Sequence, residues 1–116
     1  MLKEAVGIKK VIICTGKTDL RKGVPGLTAI LRLHFDMNAA EEGTLFLFCG
    51  SSKRLIKGII YEGDGYVLIS KRLLNGDHFY WPKDPAEARN VTIDQYRKLL
   101  DGHNIEGIYK SIDKYR

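Results

Sequence analysis

Gly16-Lys17-Thr18 follows the apolar run Val11-Ile12-Ile13-Cys14 much as the end of a phosphate-binding loop follows its strand. In such a loop the backbone N–H groups wrap a di- or triphosphate, which needs a glycine five residues before Gly16. Val11 stands there instead, and no βαβ repeat is legible along the chain to support a nucleotide fold. A phosphate-handling enzyme is therefore the weakest of the functional readings. A tight turn after a buried strand accounts for the same residues.

Cations offer a different chemistry. The net charge of +5 is uneven: residues 1–35 carry seven Lys/Arg against two acids, and residues 50–76 carry five against two. Residues 36–49 hold three acids and no base, while 77–116 balance. Concentrated positive charge suits contact with phosphates. Arg21 and Lys22 stand where a first strand hands over to a helix, a place where anions are favoured. Asp19 beside them reads structurally, as an acceptor for backbone N–H groups at the helix start and a partner for Arg21. Lys53, Arg54, Lys71 and Arg72 fall at strand ends near the Ser51-Ser52 and Asn75-Gly76 turns, where they form a basic rim. The competing reading of that rim is a solvated edge whose charges discourage aggregation. The nucleic-acid-binding candidates are thus Arg21, Lys22, Lys53, Arg54, Lys71 and Arg72.

Little else suggests a reaction. His34, His78 and His103 are scattered and pair with neither cysteine at ligand spacing, so no metal site is expected. No nucleophile–base pair or carboxylate cluster emerges, and no catalytic residue or cofactor is assigned. Cys14 and Cys49 each end an apolar run and read as small core residues; a disulfide is conceivable only if their strands are neighbours. Tyr61, Tyr66, Phe79, Tyr80 and Trp81 suit cross-strand packing better than base stacking.

The elements that position these residues follow from periodicity. Consecutive apolar residues make 9–15 a strand buried on both faces. A helix starts near Val24 or Pro25, with Leu27, Ile30 and Leu31 as its apolar stripe and His34 next at the same spacing, and ends near Phe35. Four strands follow at 44–49, 55–62, 66–74 and 77–81. They are separated by Gly50-Ser51-Ser52, Gly63-Asp64-Gly65 and the hairpin signal Asn75-Gly76. Such short links predict an antiparallel meander over 44–81. Thr92 and Gln95 form a capping box, with Val91 and Tyr96 as its staple, for a helix over 93–101 closed by Gly102. Trp81 is placed to anchor the sheet against that helix. Residues 104–116 carry apolar side chains at a spacing compatible with a short amphipathic helix.

One order of motifs runs through these elements. Thr18-Asp19-Leu20-Arg21-Lys22-Gly23 is followed by Gly43-Thr44-Leu45-Phe46-Leu47-Phe48, Leu55-Ile56-Lys57 and Glu62-Gly63-Asp64-Gly65-Tyr66. Lys71-Arg72-Leu73 and Phe79-Tyr80-Trp81-Pro82 close the series. From about Val11 to about Gly102 the chain resembles the small accessory protein, often labelled TnpB, encoded beside the transposase in insertion sequences of the IS66 family. That family is distinct from the larger RNA-guided nucleases sharing the label. The resemblance implies DNA transposition and no assigned chemical activity. Many relatives carry an arginine-rich run after the Leu-Phe-x-Phe strand, where this chain has the less basic Cys49-Gly50-Ser51-Ser52-Lys53-Arg54.

The expectation is a single α+β domain over 1–116, family-like over about 11–102 with an extension at 103–116. It consists of a mainly antiparallel sheet of about five strands with two principal helices. No run is long enough to cross a bilayer and no leader is legible, so a cytoplasmic location is expected. The expected function is that of a non-catalytic accessory protein assisting a DDE-type transposase, through contacts with DNA phosphates. The alternative is an adaptor that binds the transposase or the other accessory protein of the element without touching DNA.

Overall fold

Strands whose apolar residues are consecutive need cover on both faces, and the computed structural model supplies it. The structure describes residues 7–74, 76–82 and 88–101. β1 (Lys10–Lys17) leads into a short 3-10 turn (Leu20–Lys22) and α1 (Gly23–His34). β2 (Thr44–Cys49), β3 (Leu55–Tyr61) and β4 (Tyr66–Arg72) follow, then β5 (Ala88–Val91) and α2 (Ile93–Leu100). The five strands form one sheet in the order β4-β3-β2-β1-β5. β1 and β2 are parallel, and the other pairings among these strands are antiparallel. The architecture is α+β, as the pattern of elements predicts.

Alternation along each strand divides the interior into two layers. On one face Ile12, Cys14, Phe46, Phe48 and Ile59 pack with Leu27 and Leu31 of α1 and with Leu20 of the 3-10 turn. On the other, Val11, Ile13, Leu45, Leu47, Ile56 and Ile60 pack with Phe79, Trp81 and Leu99 of α2. Trp81 thus shares a core with α2, and its indole Nε1 donates to the Cys14 carbonyl at 3.0 Å. The capping box is formed: Gln95 N–H donates to Thr92 Oγ1 at 3.0 Å and Thr92 N–H to Gln95 Oε1 at 2.9 Å. Gly102 and the expected helix at 104–116 lie outside the described residues.

The expected four-strand meander is corrected. The meander has three strands, because 77–81 does not pair with β4. β4 and β5 are opposite edges of the sheet, so the chain must cross between them. Along that crossing Phe79 N–H donates to the Lys53 carbonyl at 2.6 Å, and the Pro82 carbonyl accepts from Gly16 N–H at 3.0 Å. Phe79 and Trp81 are therefore buried against a face of the sheet instead of extending its edge, while Tyr80 stays exposed. The fifth strand is β5, antiparallel to β1.

A βαβ unit is also present, since α1 connects the parallel neighbours β1 and β2. A single unit leaves no repeat to read. Finally, the cysteines face opposite layers. Cys14 belongs to the α1 side and Cys49 to the α2 side, so the neighbouring strands that might have allowed a disulfide hold the two thiols apart. Both are free and buried.

Candidate nucleic-acid interface

The parallel pair defines an open end of the sheet. In open α/β arrangements, ligands favour the crevice beyond the carboxyl ends of parallel strands. Here β1 leaves at Lys17 and β2 at Cys49, paired in register after an irregularity that follows Ile13. Gly16 takes a positive φ of 79° within that irregularity. Its N–H is committed to Pro82, and Thr18 N–H donates to the Cys49 carbonyl at 2.8 Å. These donors serve the chain itself, and no α-helix starts directly after Thr18. The geometry is that of a turn and not of a phosphate-wrapping loop.

The turn that follows is built by its own residues. Asp19 caps the 3-10 turn, its Oδ1 accepting from Arg21 N–H at 3.1 Å. The Arg21 guanidinium grips the same carboxylate with two bonds of 2.9 Å, from Nε to Oδ1 and from Nη2 to Oδ2. Those bonds, with the backbone N–H, hold the Asp19 carboxyl far below the usual carboxylate range. Leu20 is buried among the α1-side residues. Its carbonyl accepts from Lys57 Nζ of β3 at 2.7 Å.

Gly23 has φ 64° and ψ −165°, a region essentially reserved for glycine, and there the chain turns into α1. At Gly26 a Cβ would lie 2.1 Å from Lys22 Cβ, so only glycine lets the first turn of α1 pass beside Lys22. Much of the Asp-Leu-Arg-Lys-Gly motif is thereby explained as architecture.

A groove of about 550 Å³ opens beside this turn, lined by Lys17, Arg21, Ser51, Ser52, Leu55 and Arg72 among others. Lys17 comes from the end of β1, Arg21 from the 3-10 turn and Arg72 from the end of β4, so three elements bring three cations to one concavity. Among the described residues, Asp19 is the one acid in its lining. Lys22 lines a neighbouring groove of about 270 Å³ with Ile30, His34 and Phe35. Lys17, Thr18 and Asp19 line both grooves and form the ridge between them.

Of the six residues expected at an interface, Arg21 and Arg72 share the larger groove, and Lys22 lies across the ridge. Lys53 is half-buried in the β2–β3 turn at φ 60° and Arg54 is exposed beside it, but neither lines the groove. Lys71 pairs with Ile56 and therefore points to the α2 side. Its ammonium donates to the Leu100 carbonyl, placing a cation at the C-terminal end of α2, where the helix dipole favours one. Lys71 and Arg72 also sit on an edge strand, where charge discourages unwanted pairing.

Lys17 was not among the expected residues. Reading Gly16-Lys17-Thr18 against a phosphate-binding loop hid its place at the end of β1. The signal that could have found it is the position itself, at the end of a buried strand and close to Arg21.

The aromatics behave mainly as packing groups. Tyr61 and Tyr66 are cross-strand partners with ring centroids 5.1 Å apart, and Phe79 and Trp81 are buried. Tyr80 is exposed beside His78. Among the described residues, no three His, Cys, Asp or Glu side chains gather as a metal ion requires. No helix among them is long and apolar enough to cross a membrane.

With this geometry in view, comparison with known proteins gives the family. The family model described as IS66 Orf2 like protein matches residues 9–110. A curated protein of Sinorhizobium fredii (strain NBRC 101917 / NGR234), described as uncharacterized protein y4hO, is 38% identical over 93 residues, covering 80% of this chain and 79% of its own length. No solved structure matches. The chain belongs to the IS66 Orf2-like family: it is an accessory protein of an insertion sequence, a class tied to transposition.

Proposed function

We propose that this protein assists its element's DDE-type transposase without catalysing a reaction itself, by holding the phosphate backbone of DNA. One observation carries the reading: Lys17, Arg21 and Arg72, from three separate elements, line a single groove in which Asp19 is the one acid among the described residues. Arg21 is only partly engaged, since Asp19 takes one N–H each of Nε and Nη2 and leaves three of the five guanidinium N–H donors to an incoming oxygen. Ser51 and Ser52 add hydroxyl donors to the same lining. Such contacts are electrostatic and carry no base sequence. Lys22 across the ridge, with Lys53 and Arg54 at the β2–β3 turn, extends the positive surface. The partners that follow are DNA, the transposase and the element's other accessory protein.

The test sets DNA retention beside protein capture. Purified protein should bind an immobilised duplex at low salt and leave it as salt rises, because phosphate contacts release counterions. Failure to bind DNA, together with capture of the purified transposase or the other accessory protein, would replace this reading with the adaptor.

A further inference from the structure

Resting on the DNA-backbone reading, we propose that the strand held here is single-stranded, with its phosphates over the Lys17 ridge and a base against His34 and Phe35. The two grooves adjoin: Lys17, Thr18 and Asp19 line both. One holds Arg21, Arg72 and the two serine hydroxyls. The other holds Lys22 beside the rings of His34 and Phe35 and the side chain of Ile30. A cationic track beside aromatic and apolar faces is the combination that single strands use, with phosphates on the cations and unstacked bases on the rings. Histidine serves in such stacking alongside the larger aromatics.

Shape favours the same ligand. The cations line concavities on both sides of a narrow ridge, and a rigid duplex, with its bases turned inward, offers neither groove a base to bury. A flexible strand bends over the ridge and turns its bases out. His34 is exposed on the last turn of α1 although its spacing continues the stripe of Leu27 and Leu31. Its ring faces a groove, whereas those leucines face the core. Among the described residues, no hydrogen bond or ion pair engages that ring, which leaves it available to a ligand.

The experiment is fluorescence anisotropy at fixed low salt with a labelled oligothymidylate, alone and annealed to its oligoadenylate complement. The single strand should bind about tenfold or more tighter than the duplex. His34→Ala should weaken the single strand about fivefold or more, the scale of one lost stacking contact, and leave duplex affinity and the melting temperature unchanged. Phe35→Leu, which keeps apolar bulk in the core, should weaken the single strand in the same way.

Duplex binding equal to or tighter than single-strand binding would overturn the inference while leaving the backbone reading in place. So would a His34→Ala variant that binds the single strand as the parent does. Absence of binding to both forms would remove the backbone reading as well.

Discussion

Lys57 Nζ donates to the Leu20 carbonyl at 2.7 Å, across 37 residues of sequence. It ties the middle of β3 to the turn that carries Arg21. Lys57 lies on the α1 face of its strand, between Leu55 and Ile59, where an unpaired ammonium would be costly. The Leu20 carbonyl satisfies it and fixes the turn against the sheet. Lys57→Met should cost about 1.5–3 kcal/mol, the range for a hydrogen bond to a charged group, measurable by urea unfolding. It should also weaken DNA binding through the loosened turn. A variant with parental stability would show that the bond positions nothing.

On the proposed reading, Asp19 competes with phosphate for Arg21. Asn also caps, so Asp19→Asn should keep the turn while releasing the guanidinium. The expected result is tighter DNA binding and a steeper salt dependence, by up to about one phosphate's worth. Stability should respond to pH in a defined direction. The folded-state value of Asp19 is depressed by Arg21, so its contribution is present above the ordinary aspartate value of about 3.9 and is lost as pH falls towards the folded value. Because the pair is exposed, the contribution is small. Melting temperatures of parent and variant should differ most near neutral pH and converge in acid. A constant difference across that range would contradict the assignment.

Gly58 sits where side chains close over β3. A Cβ there would stand 2.8 Å from Leu47 Cδ2 and 3.0 Å from both Ile69 Cγ1 and Leu45 Cδ1. Glycine within a strand often marks such a close approach. Gly58→Ala should destabilise by about 1–3 kcal/mol through overpacking, read as a lower midpoint in urea. Parental stability would mean that the α2-side core has room to move.

Both thiols should be inert in the folded protein. Burial pushes Cys14 far above the usual thiol value and Cys49 up to about 12, the latter slightly offset by Lys53. Since the thiolate is the reacting species, neither should react with an aromatic disulfide reagent until the protein is unfolded. Rapid labelling of Cys49 under native conditions would show that the β2–β3 turn opens readily.

Local signals made much of this fold legible. The capping box at Thr92 and Gln95 and the glycine turns at 50–52 and 63–65 act through neighbouring residues, and the structure keeps them. The crossing at 77–82 and the strand β5 were not legible, because tertiary partners decide them. Phe79 and Trp81 have the composition of a strand but are drawn into the α2-side core, while Ala88-Arg89-Asn90-Val91 is too short and polar to announce pairing with β1.

At the candidate interface, Arg21 and Arg72 were visible as cations near turns. Their meeting with Lys17 depends on the parallel β1–β2 pairing, which no nearby residue encodes. The Asp19–Arg21 pair was readable because its partners are two residues apart. The Lys57–Leu20 bond was not.

The salt dependence of DNA binding tests the central claim most directly. Each phosphate neutralised on duplex DNA contributes a log–log slope of about −0.9, and on a single strand about −0.7. Lys17→Ala with Arg72→Ala should therefore flatten the slope by roughly one to two units without unfolding the protein. Lys53→Ala with Arg54→Ala, at the turn outside the groove, should flatten it less. An unchanged slope in the Lys17/Arg72 double variant, or no salt-dependent binding by the parent, would contradict the account and leave the groove a solvated surface.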